Sequence, residues 1–401
     1  MKKYIPLLFI LSIHLQSYCQ NLTFPVNCSD SLLMTIKGKY TKYPDDIAPL
    51  TSSVLPKAQQ PEALRRMDAM HKLLLEAYPQ PIGMDGRWRR SLNAGLFADD
   101  VNYKNGIPVC NYLYRCTFCS NTCHATPPNE VSVCADVYNY FWVYVNQLGE
   151  LQSDIKLDTM TINGRKVYML NPLVGSWKGY DLYGRPGEKF SCVLLSRRGE
   201  SPFTPVTRKQ YLDYSIPWLN KFFDKMINSP ASMPLRSLEE QDALKKKALD
   251  KIDNDYKNNP KNRELVRKNF LDTYKTDQQR REETVSIMIK LKKDGITRYE
   301  KELEKAKADN LLDAPAEIYS PFTTTDNTPI FATGPNGGKM LVTANPAYIR
   351  KDLPKYVPQF MVVYWKWVSD WPKYGGEQGA YYKKMLETNF PIEKLQAMID
   401  K

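Results

Sequence analysis

Histidine is nearly absent. The 401-residue chain holds three, His14, His71 and His124. A Ser-His-Asp or Cys-His catalytic arrangement therefore has few members to draw on, and a haem has few axial ligands. No apolar run is long enough to cross a membrane as a helix. Phosphate-loop chemistry is missing too. In "GPNGGKM" the lysine is followed by Met340 where Ser or Thr is required, and no helix follows, so Gly334–Gly338 reads as a hairpin turn. Gly175-Ser176-Trp177-Lys178-Gly179 is no nucleophile elbow, because its serine directly follows the first glycine. Ser153-Asp154-Ile155-Lys156 has the serine–lysine spacing of penicillin-recognising enzymes without the other two motifs of that class. The neighbouring acids Asp45-Asp46 and Asp99-Asp100 diverge and make no metal cage. These absences leave no catalytic, cofactor-binding or metal-ligating set, and no cofactor is expected.

What is present starts with the leader. Lys2 and Lys3 precede a short, mostly apolar run, Ile5 to Leu15, and small residues at Ser17 and Cys19 flank Tyr18. That is the pattern of a secretory signal peptide over residues 1–19, cleaved after Cys19. Lipidation of Cys19 is the weaker alternative, since Gln16 and Tyr18 are poor choices before a lipidated cysteine. The chain is thus expected to be exported to the periplasm, the cell surface or the medium, with no transmembrane span. Its net charge of +12 would suit an anionic glycan or a membrane surface. For an exported chain, nucleic acid is not expected as a partner.

With Cys19 removed, seven of eight cysteines remain. They are Cys28, Cys110, Cys116, Cys119, Cys123, Cys134 and Cys192, and five of them fall between 110 and 134. In an oxidising compartment this clustering predicts disulfides, whose connectivity spacing alone cannot give. Zinc at Cys116, Cys119, Cys134 and either Cys123 or His124 would require reduced thiols. A Cys116–Cys119 redox dithiol would want a helix after it, and Pro127-Pro128 opposes one. Three residues separate Cys119 from Cys123, one too many for haem attachment before His124.

The hydrophobic pattern is mixed. A strand is expected at 33–40, then a helix opened by Pro61 with Leu64, Met67, His71, Leu74 and Tyr78 on its apolar stripe. Residues 82–107 read as loop and 109–118 as strand. "VSVCADVYNYFWVYVNQ", 131–147, reads as one long strand. Phe141, Val143 and Val145 lie on its core face, and Tyr138, Tyr140, Trp142 and Tyr144 on the other, which is either a second packed layer or an aromatic ligand surface. Asn163-Gly164 predicts a hairpin across 160–170. Further hairpins are expected from 189–196 with 202–206, and from 330–333 with 339–343. Capping boxes at Thr207/Gln210 and Ser237/Glu240 start helices. From 237 to 310 the chain is mixed-charge helix with apolar stripes, broken at Asn259-Pro260. The strand 360–368 places Met361, Val363, Trp365 and Trp367 on one face. Burial is the expectation for Trp365 and Trp367; left open, the same pair would be an aromatic binding face. Helices at 378–387 and 391–399 close the chain.

The sequence therefore predicts an α+β fold: a mainly antiparallel twisted sheet with flanking helices and an inserted or appended charged helical arm. Its regions are a cysteine-rich α+β part (20–150), a β-hairpin part with a helix (151–236), the arm (237–310) and a Trp-rich C-terminal part (311–401). Histidine poverty, aromatic sheet faces and the arm favour an exported, non-catalytic binding or assembly protein, with another envelope protein or a glycan as its partner. The alternative is an envelope-polymer or glycan hydrolase using paired carboxylates.

Overall fold

Two stacked β-sheets, each with helices on its outer side, form the computed structural model, which describes residues 21–23, 29–47, 55–92, 111–123, 130–134, 137–153, 157, 160–185, 187–228, 235–322, 329–332, 338–369 and 376–401. The larger sheet has eight strands in the order β10 (Leu173–Trp177), β11 (Tyr180–Tyr183), β12 (Phe190–Leu195), β16 (Met361–Lys366), β7 (Tyr138–Val145), β4 (Tyr112–Ser120), β3 (Met84–Ser91) and β2 (Tyr40–Lys42). Neighbours are antiparallel except β2 and β3. β7 and β16 are rich in β-branched and aromatic residues, which suits central strands; β16 is buried on both faces over 361–365 and β7 over 143–145. The outer face sets Phe141, Val143, Val145, Val193, Val363 and Trp365 against α2 (Gln60–Ala77), α7 (Gly376–Asn389) and α8 (Ile392–Gln396). Each such apolar side chain stabilises the fold by about 1.5–3 kcal/mol. α2 carries Pro61 in its first turn and buries Met67, Met70, His71 and Leu74, as its stripe predicts.

The second sheet runs β13 (Phe203–Pro205), β15 (Lys339–Ala344), β9 (Arg165–Met169) and β8 (Thr161–Ile162), with β14 (Glu317–Ile318) also on β15. Asn163 (φ 52°) and Gly164 (φ 73°) turn β8 into β9, the hairpin read from the sequence. Alternation along β9 and β15 divides their side chains. Tyr168, Val342 and Ala344 meet Tyr144, Val362 and Tyr364 of the larger sheet. Val167, Met169 and Leu341 face α3 (Arg208–Asn228) and α6 (Asp277–Ala308). The result is a helix–sheet–sheet–helix stack, and the α+β class is as read. A small third sheet joins β1 (Asn21–Thr23), β6 (Glu130–Ser132) and β5 (Thr122–Cys123).

Both capping boxes form: Thr207 with Gln210 opens α3, and Ser237 with Glu240 opens α4 (Leu238–Asp255). α5 (Pro260–Thr273) follows. α4 and α5 leave Leu244 and Leu265 largely exposed. α6 differs along its length: Ile289 stays in solvent, whereas Tyr299 and Ala306 are buried, with Tyr299 against α3.

Several expectations are corrected. The segment 33–40 is not a strand; a short helix, α1 (Asp30–Leu33), precedes β2. Residues 84–91, expected to be loop, form β3. Its Met84, Gly86 and Trp88 alternate toward the core, and its arginines disguise it. The long strand at 131–147 is two strands of different sheets, separated around Cys134, which adopts φ 58°. The expected hairpin of 189–196 with 202–206 does not form, because β12 pairs with β16 and β13 with β15. Nor, among the described residues, do 330–332 pair with 339–343; β14 lies between them, bridged to Phe331 and hydrogen-bonded to β15. Residues 333–337 lie outside the described residues.

Candidate functional site

The register of the larger sheet lines up residues that the sequence scatters. One line across the strands runs Tyr183, Cys192, Tyr364, Trp142, Arg115, Arg89. The next runs Phe190, Lys366, Tyr140, Thr117, Arg87. Side chains two apart on a strand share a face, so both lines lie on the side away from α2 and α7. The second sheet covers only part of that side. Tyr144 is 3% and Tyr364 6% exposed, while Tyr138, Tyr140, Trp142 and Tyr183 are half-buried.

Along β7 the rings form a continuous series. Centroids are 6.4 Å apart for Tyr138–Tyr140, 4.9 Å for Tyr140–Trp142 and 6.1 Å for Trp142–Tyr144. Tyr364 lies 5.4 Å from Trp142, and Phe190 5.8 Å from Tyr364. The buried Nε1 of Trp142 meets no acceptor among the described residues. An unpartnered buried donor costs about 1–3 kcal/mol. At the inner end Tyr144 Oη donates to Glu150 Oε1 at 3.4 Å. Burial, then the Glu150 carboxylate, raises the Tyr140 hydroxyl above its ordinary pKa. At the outer end Tyr138 pairs in register with Cys119, which is disulfide-bonded to Cys134. The disulfide therefore fixes the turn after β6 beside the row.

Cations flank the series. Lys366 is exposed, its Nζ 5.9 Å from the centre of the Tyr140 ring. Arg115 Nη2 is 2.9 Å from Asp46 Oδ2, which also accepts from Ser91 Oγ. Burial, then repulsion from Arg89, lowers the Arg115 pKa against the pull of Asp46. Arg89 is exposed.

A broad open groove of about 770 Å3 lies at the sheet edge, lined among others by Lys178, Tyr180, Asp181, Arg198, Glu200 and Glu393. It reaches the aromatic row at Tyr183. Arg197, beside it, is bound to Glu200 and Asp400 and lies 3.7 Å over the Tyr348 ring. Glu200 is thus held by the Arg197 guanidinium.

The cysteines named from the sequence separate into three groups. Cys119 and Cys134 are joined, with Cα atoms 4.6 Å apart, and Cys123 is disulfide-bonded as well. Cys116 and Cys192 are buried free thiols, each raised above the ordinary thiol pKa by burial. Cys28, Cys110 and His124 lie outside the described residues. Among the described residues no group of three or more His, Cys, Asp or Glu side chains could hold a metal. Trp365 is 1% exposed and donates to Glu387 Oε1, whereas Trp367 is half-buried under Lys383. Both belong to the face under the helices, opposite the aromatic row. His71 packs on Trp88 inside the core. The aromatic series along β7 shows in the sequence as alternation, but its basic flank on β3 does not, because Arg87, Arg89 and Arg90 mask the strand pattern. No protein-family model, curated protein or solved structure matches the chain.

Proposed function

We propose that this chain is an exported, non-catalytic binding protein that holds a glycan on the aromatic face of its larger sheet. The observation that carries the reading is the half-exposed series Tyr138, Tyr140, Trp142 on a rigid central strand. Aromatic rings offer large apolar faces with polar tips, which suit the apolar faces and hydroxyl rims of sugars. A site on sheet strands is also held more rigidly than one on loops. Export is supported by the Lys2–Cys19 leader and by the disulfide Cys119–Cys134. Among the described residues no helix is long and apolar enough to cross a membrane.

Affinity electrophoresis against a panel of soluble polysaccharides tests the reading, with reducing-end release measured in parallel. Retardation by at least one glycan is expected, lost in Trp142→Ala and in Tyr140→Ala while each variant keeps a cooperative unfolding transition. Failure to bind any glycan would reject the binding reading. Release of reducing ends would replace it with the hydrolase alternative. Mass spectrometry of the secreted protein checks export; its mature N-terminus is expected at Gln20.

A further inference from the structure

We propose that the arginines at the end of the aromatic row form an anion subsite, so that the glycan held there carries carboxylate or sulfate groups. This rests on the glycan-binding reading above. Arg89 and Arg115 are direct partners on antiparallel strands β3 and β4, and Arg87 follows two residues along β3 on the same face. Like charges directly opposite each other on a sheet are destabilising. Arg115 has a carboxylate, Asp46. Among the described residues none forms an ion pair with Arg87 or Arg89, although Arg87 lies 5.7 Å over the Tyr43 ring. Among the described residues the other nearby acids have partners of their own. Asp45 and Asp68 hold Arg90, which points to the helix-covered side, and Asp85 accepts from the backbone of Lys39. Among the described residues three guanidiniums, Arg87, Arg89 and Arg115, share this face of the sheet with two carboxylates, Asp46 and Asp85, which leaves a local positive excess.

The line that contains Arg89 and Arg115 continues directly into Trp142 and Tyr364, and the line that contains Arg87 continues into Tyr140 and Lys366. A sugar stacked on Tyr140 and Trp142 thus has a cation on either side: Lys366 on β16, and Arg87 and Arg89 on β3. Guanidinium groups recognise carboxylate and sulfate through paired N–H donors. A binding surface that keeps uncompensated like charges in register sacrifices stability at that point, as functional sites commonly do.

Two matched pairs of probes test this: polygalacturonate against its methyl-esterified form, and dextran sulfate against dextran. Binding of one acidic probe at least about tenfold tighter than its neutral counterpart is expected, weakening as salt rises. Arg89→Gln should weaken the acidic probe by about tenfold and leave any neutral binding unchanged, whereas Arg89→Lys, which keeps the charge but loses the paired donors, should retain only part of it. Because Arg89 is exposed and faces a like charge, the unliganded Arg89→Gln protein should unfold at the same or a higher denaturant concentration. Preference for polygalacturonate assigns carboxylate, and preference for dextran sulfate assigns sulfate. Equal binding of charged and neutral partners, or lower stability of unliganded Arg89→Gln, would overturn the anion subsite while leaving glycan binding intact. No binding to any probe, acidic or neutral, would reject both.

Discussion

His71 Nδ1 lies 2.8 Å from Tyr114 Oη, a hydrogen bond between helix α2 and strand β4 inside the main core. The imidazole also stacks on Trp88, with ring centroids 4.0 Å apart. Burial lowers its pKa from 6.5 to about 4, against a smaller upward pull from Asp68. The folded state therefore holds the ring neutral at pH values where the unfolded chain already binds a proton. Stability from this group is fully present above pH 6.5 and is lost as pH falls toward 4. A shift of that size corresponds to about 3 kcal/mol, reduced by the partial solvent screening of the ring. Asp45, held by Arg90, and Asp277, held by Arg236, lose their contributions only below about pH 4, so they leave this window to the histidine. Urea denaturation of wild type and His71→Gln between pH 7 and 4.5 checks it. The slope with pH should be shallower in the variant; equal slopes would show that His71 does not titrate as argued.

Trp365 and Trp367 separate the two meanings of the Trp-bearing face. Trp365 touches Trp177 at 4.9 Å and donates to Glu387. Trp365→Ala should cost about 3–5 kcal/mol. Trp367, half-buried at the sheet margin, should cost about 1–2 kcal/mol. Chemical denaturation midpoints measure both. Unchanged stability in Trp365→Ala would mean the strand does not pack as described.

Local chemistry was the legible part of this chain. The Asn163-Gly164 turn, the Thr207 and Ser237 caps and the Pro61 helix start each depend on neighbours within four residues, and each forms as read. Pairing was not legible where sheet neighbours are distant in sequence. β12 and β13 follow one another yet join different sheets, and the two-residue β14 displaces an expected hairpin. β3 was hidden because arginine at 87, 89 and 90 outweighs the alternation of Met84, Gly86 and Trp88. The candidate site suffered most. Its aromatic half lies on one strand and showed as a period of two, but bringing Arg89, Trp142, Tyr364 and Tyr183 into line needs the register of five strand pairs.

The Cys119–Cys134 bridge closes a loop with a sequence separation of 15. By the chain-entropy argument a loop of that length contributes about 3 kcal/mol. Replacing both cysteines with serine should lower stability by about that amount. In the native, unreduced protein Cys116 and Cys192 should not react with Ellman's reagent, because both are buried and their thiolates disfavoured. Both should react after denaturation. Titration of five or more thiols in denatured, unreduced protein would contradict the disulfides.

The charged arm can be divided at a definite point. Arg236 and Asp277 meet through backbone and guanidinium: Arg236 N donates to Asp277 Oδ2 at 3.1 Å and its Nε to the same oxygen at 2.8 Å. Gln241 ties the same two residues, donating to Arg236 O and accepting from Asp277 N. The excursion through α4 and α5 therefore leaves and returns at one place. Beyond that place α6 runs back along α3, with Tyr211 and Tyr299 hydroxyls 3.3 Å apart and Lys292 paired with Asp224. Tyr299 is 1% exposed. Excising 238–275 with a short glycine–serine linker should therefore preserve cooperative unfolding, with only a modest fall in midpoint. Excising 237–310 removes Tyr299 and Ala306 from beneath the second sheet and should abolish that cooperativity. Tyr299→Ala alone should cost about 3–5 kcal/mol, the range for a buried aromatic. Calorimetry on the two deletions distinguishes these outcomes. Loss of cooperative unfolding in the shorter deletion would show that α4 and α5 belong to the core after all, and a fully stable longer deletion would show that α6 does not.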